Sequence, residues 1–593
     1  MAFEGLLVLL GVGAARAFTI NGLFSDGMVV LQTTSDGGGG PGRLFGSGEP
    51  GEVVTATGTW GWAAAVTCDE DGAWSLEITG DSEIEVWGPY AAELSNASGF
   101  TVSATDVYFG DVYLCGGQSN MERAVNTIEN KTIELALSDH ANVRLFAVPK
   151  RADAQPGRSV VAFSEAGVAF GYLGMDVDTP AYDSNDMQGS CLYGDCSNPC
   201  SASVRRWRQA NATWVQHFSA LCYLSTRDTA RDRGTLNDQS GRAVGLIEDD
   251  FGGTPVQAWT PFGGLEKCGL PLNDCPTEKG GNCTDYPSAL YNTMISPLVG
   301  RGLRAVLWMQ GEANSDEGFP LSREDYACAF REMIRAWRLA WSSPIPFIFV
   351  QLSSWVGNAN FDGLACDANF CPVVSRVRLA QADVAGVGNA SQAFADDKVG
   401  VVMAFDYGDD LAHGVPAQRL SWQVRCVAFG EAIHADAPLP LLIRNAAKEG
   451  LAWTRNSETV VVKVALDRAV ELRGTNACNI TYTGECCSGA GLVVARLCAN
   501  ANAADCEAND AAFVFPARLQ ATAGAEISFI ATVPVGKVPK WLDAYRTDFA
   551  LCGAADVQTG ISMGTFAYLP LQTASSLPLA ATSASLPLPA ANA

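Results

Sequence analysis

Four apolar runs in this chain stop abruptly at glycine and polar side chains, a pattern that points to a parallel α/β sheet. Val112–Cys115 reads as a buried strand that meets Gly116-Gly117 and then Ser119. Ala243–Phe251 runs into Gly252-Gly253, and Gly302–Met309 into Gln310, Gly311, Glu312 and Asn314. Val401–Phe405 leads to a loop that carries Asp406, Asp409, Asp410 and His413. Amphipathic stretches such as Arg323–Ala340 lie between them, as crossover helices do. Open sheets of this kind collect ligands at the carboxyl ends of their strands, so these four endings are expected to share one edge.

Ser119 is the side chain at those endings with the most chemical reach. The spacing predicts that it N-caps a helix continuing Met121-Glu-Arg-Ala-Val-Asn-Thr-Ile128. A hydroxyl there meets unpaired backbone N–H groups and the positive end of the helix dipole, which favour developing negative charge. An isolated Gly-Gly-x-Ser is more often a simple cap, so a nucleophilic role needs a base nearby. The chain has four histidines. His140 follows Asp139 after a helical pattern and reads as a surface residue; His217 falls at an amphipathic helix entrance and reads as structural. His434 falls near a helix end, where a cation suits the dipole. His413 follows a strand, and the Asp410-x-x-His413 spacing lets a carboxylate hold one ring nitrogen while the other faces a serine. Asp406 and Asp409 are alternatives for that carboxylate. Backbone N–H groups at Gly252 or Gly253 are candidates to approach a substrate oxygen closely, although Gly-Gly also makes ordinary strand-end turns.

These segments together resemble the sialate O-acetylesterase family of the SGNH-hydrolase superfamily. The resemblance is carried by Leu23–Gln32, Gly117-Gln-Ser-Asn-Met121, Gly252-Gly-Thr-Pro-Val-Gln-Ala-Trp259, Tyr291–Leu298, Trp308-Met-Gln-Gly-Glu-Ala-Asn314, Pro346–Leu352 and the Asp410–His413 loop, in family order. It implies an SGNH-type α/β/α catalytic domain with a small β-domain before it, and hydrolysis of acetyl esters on sugar hydroxyls, notably those of sialic acids. Alternating strand patterns on either side of that domain read as flanking β-sandwich-like regions. By the same resemblance Ser119 is the nucleophile, His413 the base and Asp410 its orienting acid. Gly252 and Gln310 join the Ser119 N–H as oxyanion donors, with Gly253 and Asn314 as further candidates and Glu312 as a substrate contact. The family usually carries His where this chain has Gly27, and His413 is followed by Gly414-Val-Pro416 where the family commonly has Pro. An α/β-hydrolase is disfavoured, because Gly117-Gln-Ser-Asn-Met121 lacks the second glycine of the G-x-S-x-G elbow.

Composition fits a secreted enzyme of several parts. Residues 1–17 read as a signal peptide ending in Ala15-Arg-Ala17, and no uncharged apolar run elsewhere reaches membrane-spanning length. Residues 18–104 read as a β domain, 105–437 as the esterase domain, 438–570 as a second β region and 571–593 as a disordered tail. Residues 151–210 look like an insertion. Nineteen cysteines point to an oxidising compartment and leave at least one unpaired in a monomer; Cys115, in the strand before Ser119, is the expected free thiol. No metal site and no cofactor are expected: Cys191, Cys196 and Cys200 have no histidine near and suit disulfides better. Sequons at Asn96, Asn130, Asn211, Asn282, Asn389 and Asn479 suggest glycosylation, with Asn130 placed near the end of the Ser119 helix. A net charge of −25 weighs against nucleic-acid binding and anionic membranes; the family resemblance implies an acetylated carbohydrate as the partner. Arg123, one helical turn after Ser119, is a candidate to pair with a sugar carboxylate, the alternative being a solvated helix-face arginine. Two rival readings stand beside this one: an esterase of acetylxylan or another polysaccharide, and a non-catalytic carbohydrate-binding protein.

Overall fold

The computed structural model describes residues 18–20, 23–32, 42–80, 87–128, 130–148, 207–236, 242–273, 284–315, 319–352, 372–386, 398–404, 414–431, 451–456, 459–465, 470–472, 493–499, 514–523, 526–534, 537–543, 554–556 and 569–573. The signal-like residues, most of the insertion, the loop with Asp406, Asp409, Asp410 and His413, and also His434 and the tail lie outside the described residues. Backbone contacts divide the chain into two units, one of residues 1–310, 329–348 and 424–431, the other of 311–328, 349–423 and 432–593.

The first unit begins with short strands: β1 (Thr19–Ile20), β2 (Val29–Leu31), β3 (Gly42–Ser47), β4 (Val53–Gly58), β5 (Trp62–Thr67), β6 (Ala73–Ile78) and β7 (Tyr90–Asn96). β1, β3 and β6 form one sheet, while β4 pairs with β5 and β7. β4 buries Val54 and Ala56 and exposes Val53, Thr55 and Thr57, the period-two pattern of a sheet wet on one face. β8 (Thr101–Gly117) then changes character along its 17 residues. Its first part alternates and pairs antiparallel with β7; from Phe109 onward every residue is buried. That second part lies between parallel neighbours β11 (Ala243–Asp250) and β12 (Ala305–Met309). The change reflects a sheet covered on both faces, where strands read as continuous apolar runs. β9 (His140–Ala147) and β10 (Arg208–Ala210) complete the order β10-β9-β11-β8-β12 in this unit. The expected strand Val112–Cys115 is thus a segment near the carboxyl end of a longer element.

Backbone proximity, rather than side-chain volume, sets the β8–β11 spacing at one point. A Cβ on Gly110 would sit 1.8 Å from the Ala243 carbonyl oxygen, so no other residue fits there without moving a strand. Farther along, Trp259, Trp308 and Trp337 are fully or nearly buried and meet edge to face, with centroids 5.5 and 5.6 Å apart. Each such pair adds about 1 kcal/mol beyond the area it buries. Near the amino end of the β8–β12 pairing the Arg304 guanidinium, fully buried, donates its Nε to Asp111 at 2.7 Å, and Arg242 reaches the same carboxylate at 3.3 Å.

Two sequence expectations change here. Cys115 is no free thiol: it forms a disulfide with Cys222, with Cα atoms 5.8 Å apart. The strand's inward face aims its sulfur at the helix Ala220–Asp232, which packs on β11 beside it. Cys68 is a buried free thiol among the described residues. His140 is not a surface residue; it opens β9, is 7% exposed, and its ring lies 6.5 Å from that of Tyr223.

In the second unit, the end of β13 (Phe347–Gln351) is held by the helix Pro372–Val384. Arg378 Nε donates to the Leu352 carbonyl at 3.0 Å, and the Leu352 N–H donates to Gln381 Oε1 at 2.9 Å. β14 (Val399–Met403) is the neighbour of β13. The described residues from 451 onward form strands: β15 (Leu451–Asn456), β16 (Thr459–Ala465), β17 (Val470–Leu472), β18 (Val493–Cys498), β19 (Val514–Ala523), β20 (Glu526–Thr532), β21 (Trp541–Asp543), β22 (Ala554–Asp556) and β23 (Leu569–Thr573). Seven of them close a barrel in the order β15-β16-β20-β19-β18-β21-β23, while β17 and β22 pair separately. Among the described residues no helix is long and apolar enough to cross a membrane.

Gly110→Ala should destabilise the protein by about 3 kcal/mol or more, because the added methyl meets a carbonyl in a buried strand pair. Urea denaturation followed by tryptophan fluorescence measures it; an unchanged midpoint would mean the strands are not this close.

Candidate active site

Gly117 ends β8 with φ of 142°, a conformation that disfavours any side chain. A Cβ there would also sit 1.9 Å from the Met309 carbonyl oxygen. That same oxygen accepts the Gln118 N–H at 2.9 Å, and the Gly117 carbonyl accepts the Phe251 N–H at 3.0 Å. The three strand ends β11, β8 and β12 are therefore stitched together at the residue pair just before Ser119. Ser119 itself is half-buried and is the first residue of a one-turn helix, Ser119–Glu122, whose N-cap is Gln118. The expected N-cap serine on a longer helix is thus corrected. Arg123 leaves the helix with ψ of 117°, and Ala124 forms a β-bridge with Ser219. Val125 N–H donates to Phe218 O and Ala220 N–H to Arg123 O, so tertiary pairing takes the backbone groups a longer helix would have used. A single turn carries little macrodipole, and charge stabilisation here rests on individual N–H groups. Asn130 consequently does not end this helix; it is the exposed N-cap of a separate one, Lys131–Ala136.

The serine turn is gripped on both flanks by the start of the helix Ala220–Asp232. Four residues before Ser119, Cys115 is bonded to Cys222. Two residues after it, the Met121 carbonyl accepts the Ser219 hydroxyl at 2.6 Å, while Ser219 Oγ caps the helix by accepting the Cys222 N–H at 3.1 Å. Ser219 is fully buried. His217 lies not within a helix but in the turn before Ser219; it is half-buried, and that burial pulls its imidazole below the ordinary histidine value. Neither Ser219 nor Cys222 stands out in the sequence, because pairing partners 98 and 107 residues away leave no local signature.

Gly252 and Gly253 form the turn that follows β11, immediately after the Phe251 N–H that bonds to Gly117. Gly252 is half-buried and Gly253 exposed, with φ of 76° at Gly253. Gln310 directly follows β12, is fully buried, and its Nε2 donates to the Thr254 carbonyl at 3.2 Å. Ser119, the Gly252 turn and Gln310 thus stand at the carboxyl ends of three adjacent strands, where the sequence placed them. Arg123 is half-buried at the C-cap of the serine helix.

The remaining candidates belong to the second unit or lie outside the described residues. Gly311 has φ of 148°, and a Cβ on it would meet Val377 Cγ1 at 2.8 Å. Glu312 and Asn314 sit on the one-turn helix Glu312–Ser315, buried at 6% and 1% exposure. Asn314 Nδ2 donates to the Phe319 carbonyl at 3.1 Å, which commits one of its two N–H bonds to its own loop. Asp410 and His413 lie outside the described residues; the helix Gly414–Phe429 begins at the next residue.

Comparison with known proteins agrees with this architecture. Residues 222–396 match the family described as carbohydrate esterase, sialic acid-specific acetylesterase. Sialate O-acetylesterase of Mus musculus is 26% identical over 527 residues, spanning 79% of this chain and 85% of that protein. Its counterpart in Homo sapiens is 28% identical over 337 residues, 54% of this chain and 55% of that one. A solved carbohydrate acetylesterase from Xanthomonas citri shares the fold with a TM-score of 0.60, at 20% identity over 93% of this chain and 99% of that chain. The α/β fold with these matches defines a carboxylic ester hydrolase. Within that class, the chain is similar to carbohydrate esterases, and residues 222–396 resemble the sialic acid-specific acetylesterases.

Because Cys115–Cys222 closes a loop of 107 residues beside the serine turn, Cys222→Ser should cost stability on the order of 3–5 kcal/mol. Chemical denaturation with and without reductant checks this: reductant should lower the wild-type midpoint by more than it lowers the variant's.

Proposed function

We propose that this carbohydrate esterase works through Ser119 and removes O-acetyl groups from sialic acids, in a secreted or lumenal setting. Ser119 Oγ attacks the acetyl carbonyl while His413, oriented by Asp410, takes the hydroxyl proton. The tetrahedral oxyanion is met by the N–H groups of Ser119 and Gly252 and by Gln310, with Gly253 and Asn314 as further donors. The intermediate collapses, His413 returns the proton to the departing sugar hydroxyl, and water hydrolyses the acetyl-enzyme by the same route. The observation that carries this reading is the junction at Gly117, Met309 and Phe251, which sets Ser119 beside the glycine turn at the sheet's carboxyl edge. Disulfide bonding at Cys115, Cys222, Cys268, Cys328 and Cys498 supports an oxidising compartment.

The net charge of −25 favours a second reading, a neutral acetylated polysaccharide such as acetylxylan, because it repels an anionic sugar. In the sialoside reading Arg123 offsets that repulsion by pairing with the sugar carboxylate, and Glu312 is a further substrate contact.

Acetate release from O-acetylated sialic acid, acetylxylan and 4-nitrophenyl acetate tests the whole reading. Ser119→Ala should lower kcat by at least about 10³-fold on every substrate, and equal activity in both proteins would leave a carbohydrate-binding role instead. Arg123→Ala should raise KM for the acetylated sialic acid by about tenfold and leave neutral substrates unchanged. Retained preference for the acidic sugar would remove Arg123, and faster release from xylan by wild type would move the assignment to polysaccharide.

A further inference from the structure

The Gly252-Gly253 turn has no side chains of its own, so something outside it must fix where its N–H groups point. Thr254 is the first side chain after it and is fully buried. Its Oγ1 donates to the Phe251 carbonyl at 2.7 Å and accepts the Trp259 indole N–H at 3.0 Å. Its backbone carbonyl accepts Gln310 Nε2 at 3.2 Å. The hydroxyl bond from Thr254 to Phe251 spans the glycine pair and closes it into a loop. The Phe251 N–H in turn holds the Gly117 carbonyl, two residues from Ser119.

The far side of this set is buried and closely packed. Trp259 is fully buried, and its own carbonyl accepts the Trp337 indole N–H at 3.1 Å. Both rings pack edge to face against Trp308, which lies in β12 two residues before Gln310. Pro255 follows Thr254 and biases it toward extended backbone, while the β-branch narrows its side-chain rotamers.

We propose that Thr254 is the positioning residue of the oxyanion donors: its hydroxyl sets the Gly252-Gly253 turn and its carbonyl sets the Gln310 amide, both against the tryptophan cluster. This rests on the Ser119 esterase reading above. Thr254 touches no substrate. It holds the donors where the transition-state oxygen forms, so its loss should appear in kcat while substrate binding persists.

The test compares Thr254→Val, which keeps shape and loses both hydroxyl bonds, with Thr254→Ser, which keeps the hydroxyl. Steady-state kinetics on 4-nitrophenyl acetate is run beside wild type and Ser119→Ala. Thr254→Val should lower kcat by about 10- to 100-fold with KM within about twofold. Thr254→Ser should restore kcat to within about threefold of wild type. Trp259→Phe should lower kcat less, and the double variant with Thr254→Val should be no slower than Thr254→Val alone, since both act through one hydroxyl. Amide hydrogen exchange of the peptide spanning residues 249–256 gives a second readout that needs no turnover. Exchange should rise about tenfold in Thr254→Val and stay near wild type in Thr254→Ser. Wild-type kcat in Thr254→Val, a loss carried by KM alone, or Thr254→Ser behaving like Thr254→Val would each overturn the proposal. A wild type no faster than Ser119→Ala would instead defeat the esterase reading, and the exchange comparison would still decide whether Thr254 anchors the turn.

Discussion

Everything at the carboxyl edge of the first unit depends on one backbone contact that only glycine permits. The Met309 carbonyl occupies the space a Cβ on Gly117 would need, and from there it accepts the Gln118 N–H. A glycine with φ of 142° also turns the chain out of the strand within a single residue. Ser119 thereby leaves the sheet at a fixed point, with the neighbouring strand ends bonded to the residues before it.

That junction is supported differently on its two sides. Toward the helix Ala220–Asp232, covalent and hydrogen bonds grip the serine turn through Cys115, Cys222 and Ser219. Toward β12, aromatic packing dominates, with Trp259, Trp308 and Trp337 beneath the Gly252-Gly253 turn. The arrangement suits a site whose electrostatics come from separately placed N–H groups. A one-turn helix offers no long dipole, so the donors must be held individually, and both supports are buried enough to do so. Catalytic power in such a site resides in geometry set before substrate arrives.

The sequence made the strand endings legible because a fully buried parallel strand reads as an unbroken apolar run, and its termination by Gly and amides is conspicuous. Ser119, Gly252 and Gln310 were accordingly found together. What lay hidden was non-local. The helix expected through Ile128 stops at Arg123 because residues 123–126 pair with 216–220, a competition no local propensity records. Cys115 looked like the spare thiol because its partner lies 107 residues away. His140 follows an acidic residue and reads as exposed, yet the sheet and Tyr223 cover it. Thr254 lies inside the Gly252–Trp259 motif without a local mark of its role, since a hydroxyl's worth depends on which carbonyl and which indole reach it.

The central claim is that Ser119 is an activated nucleophile at this junction. Native protein treated with a fluorophosphonate and then digested for mass spectrometry addresses it directly. The account requires one phosphonyl group per chain, on the peptide and residue of Ser119, and none when the protein is unfolded before exposure. A native protein left unlabelled, or labelled at another serine with Ser119 unmodified, would contradict it.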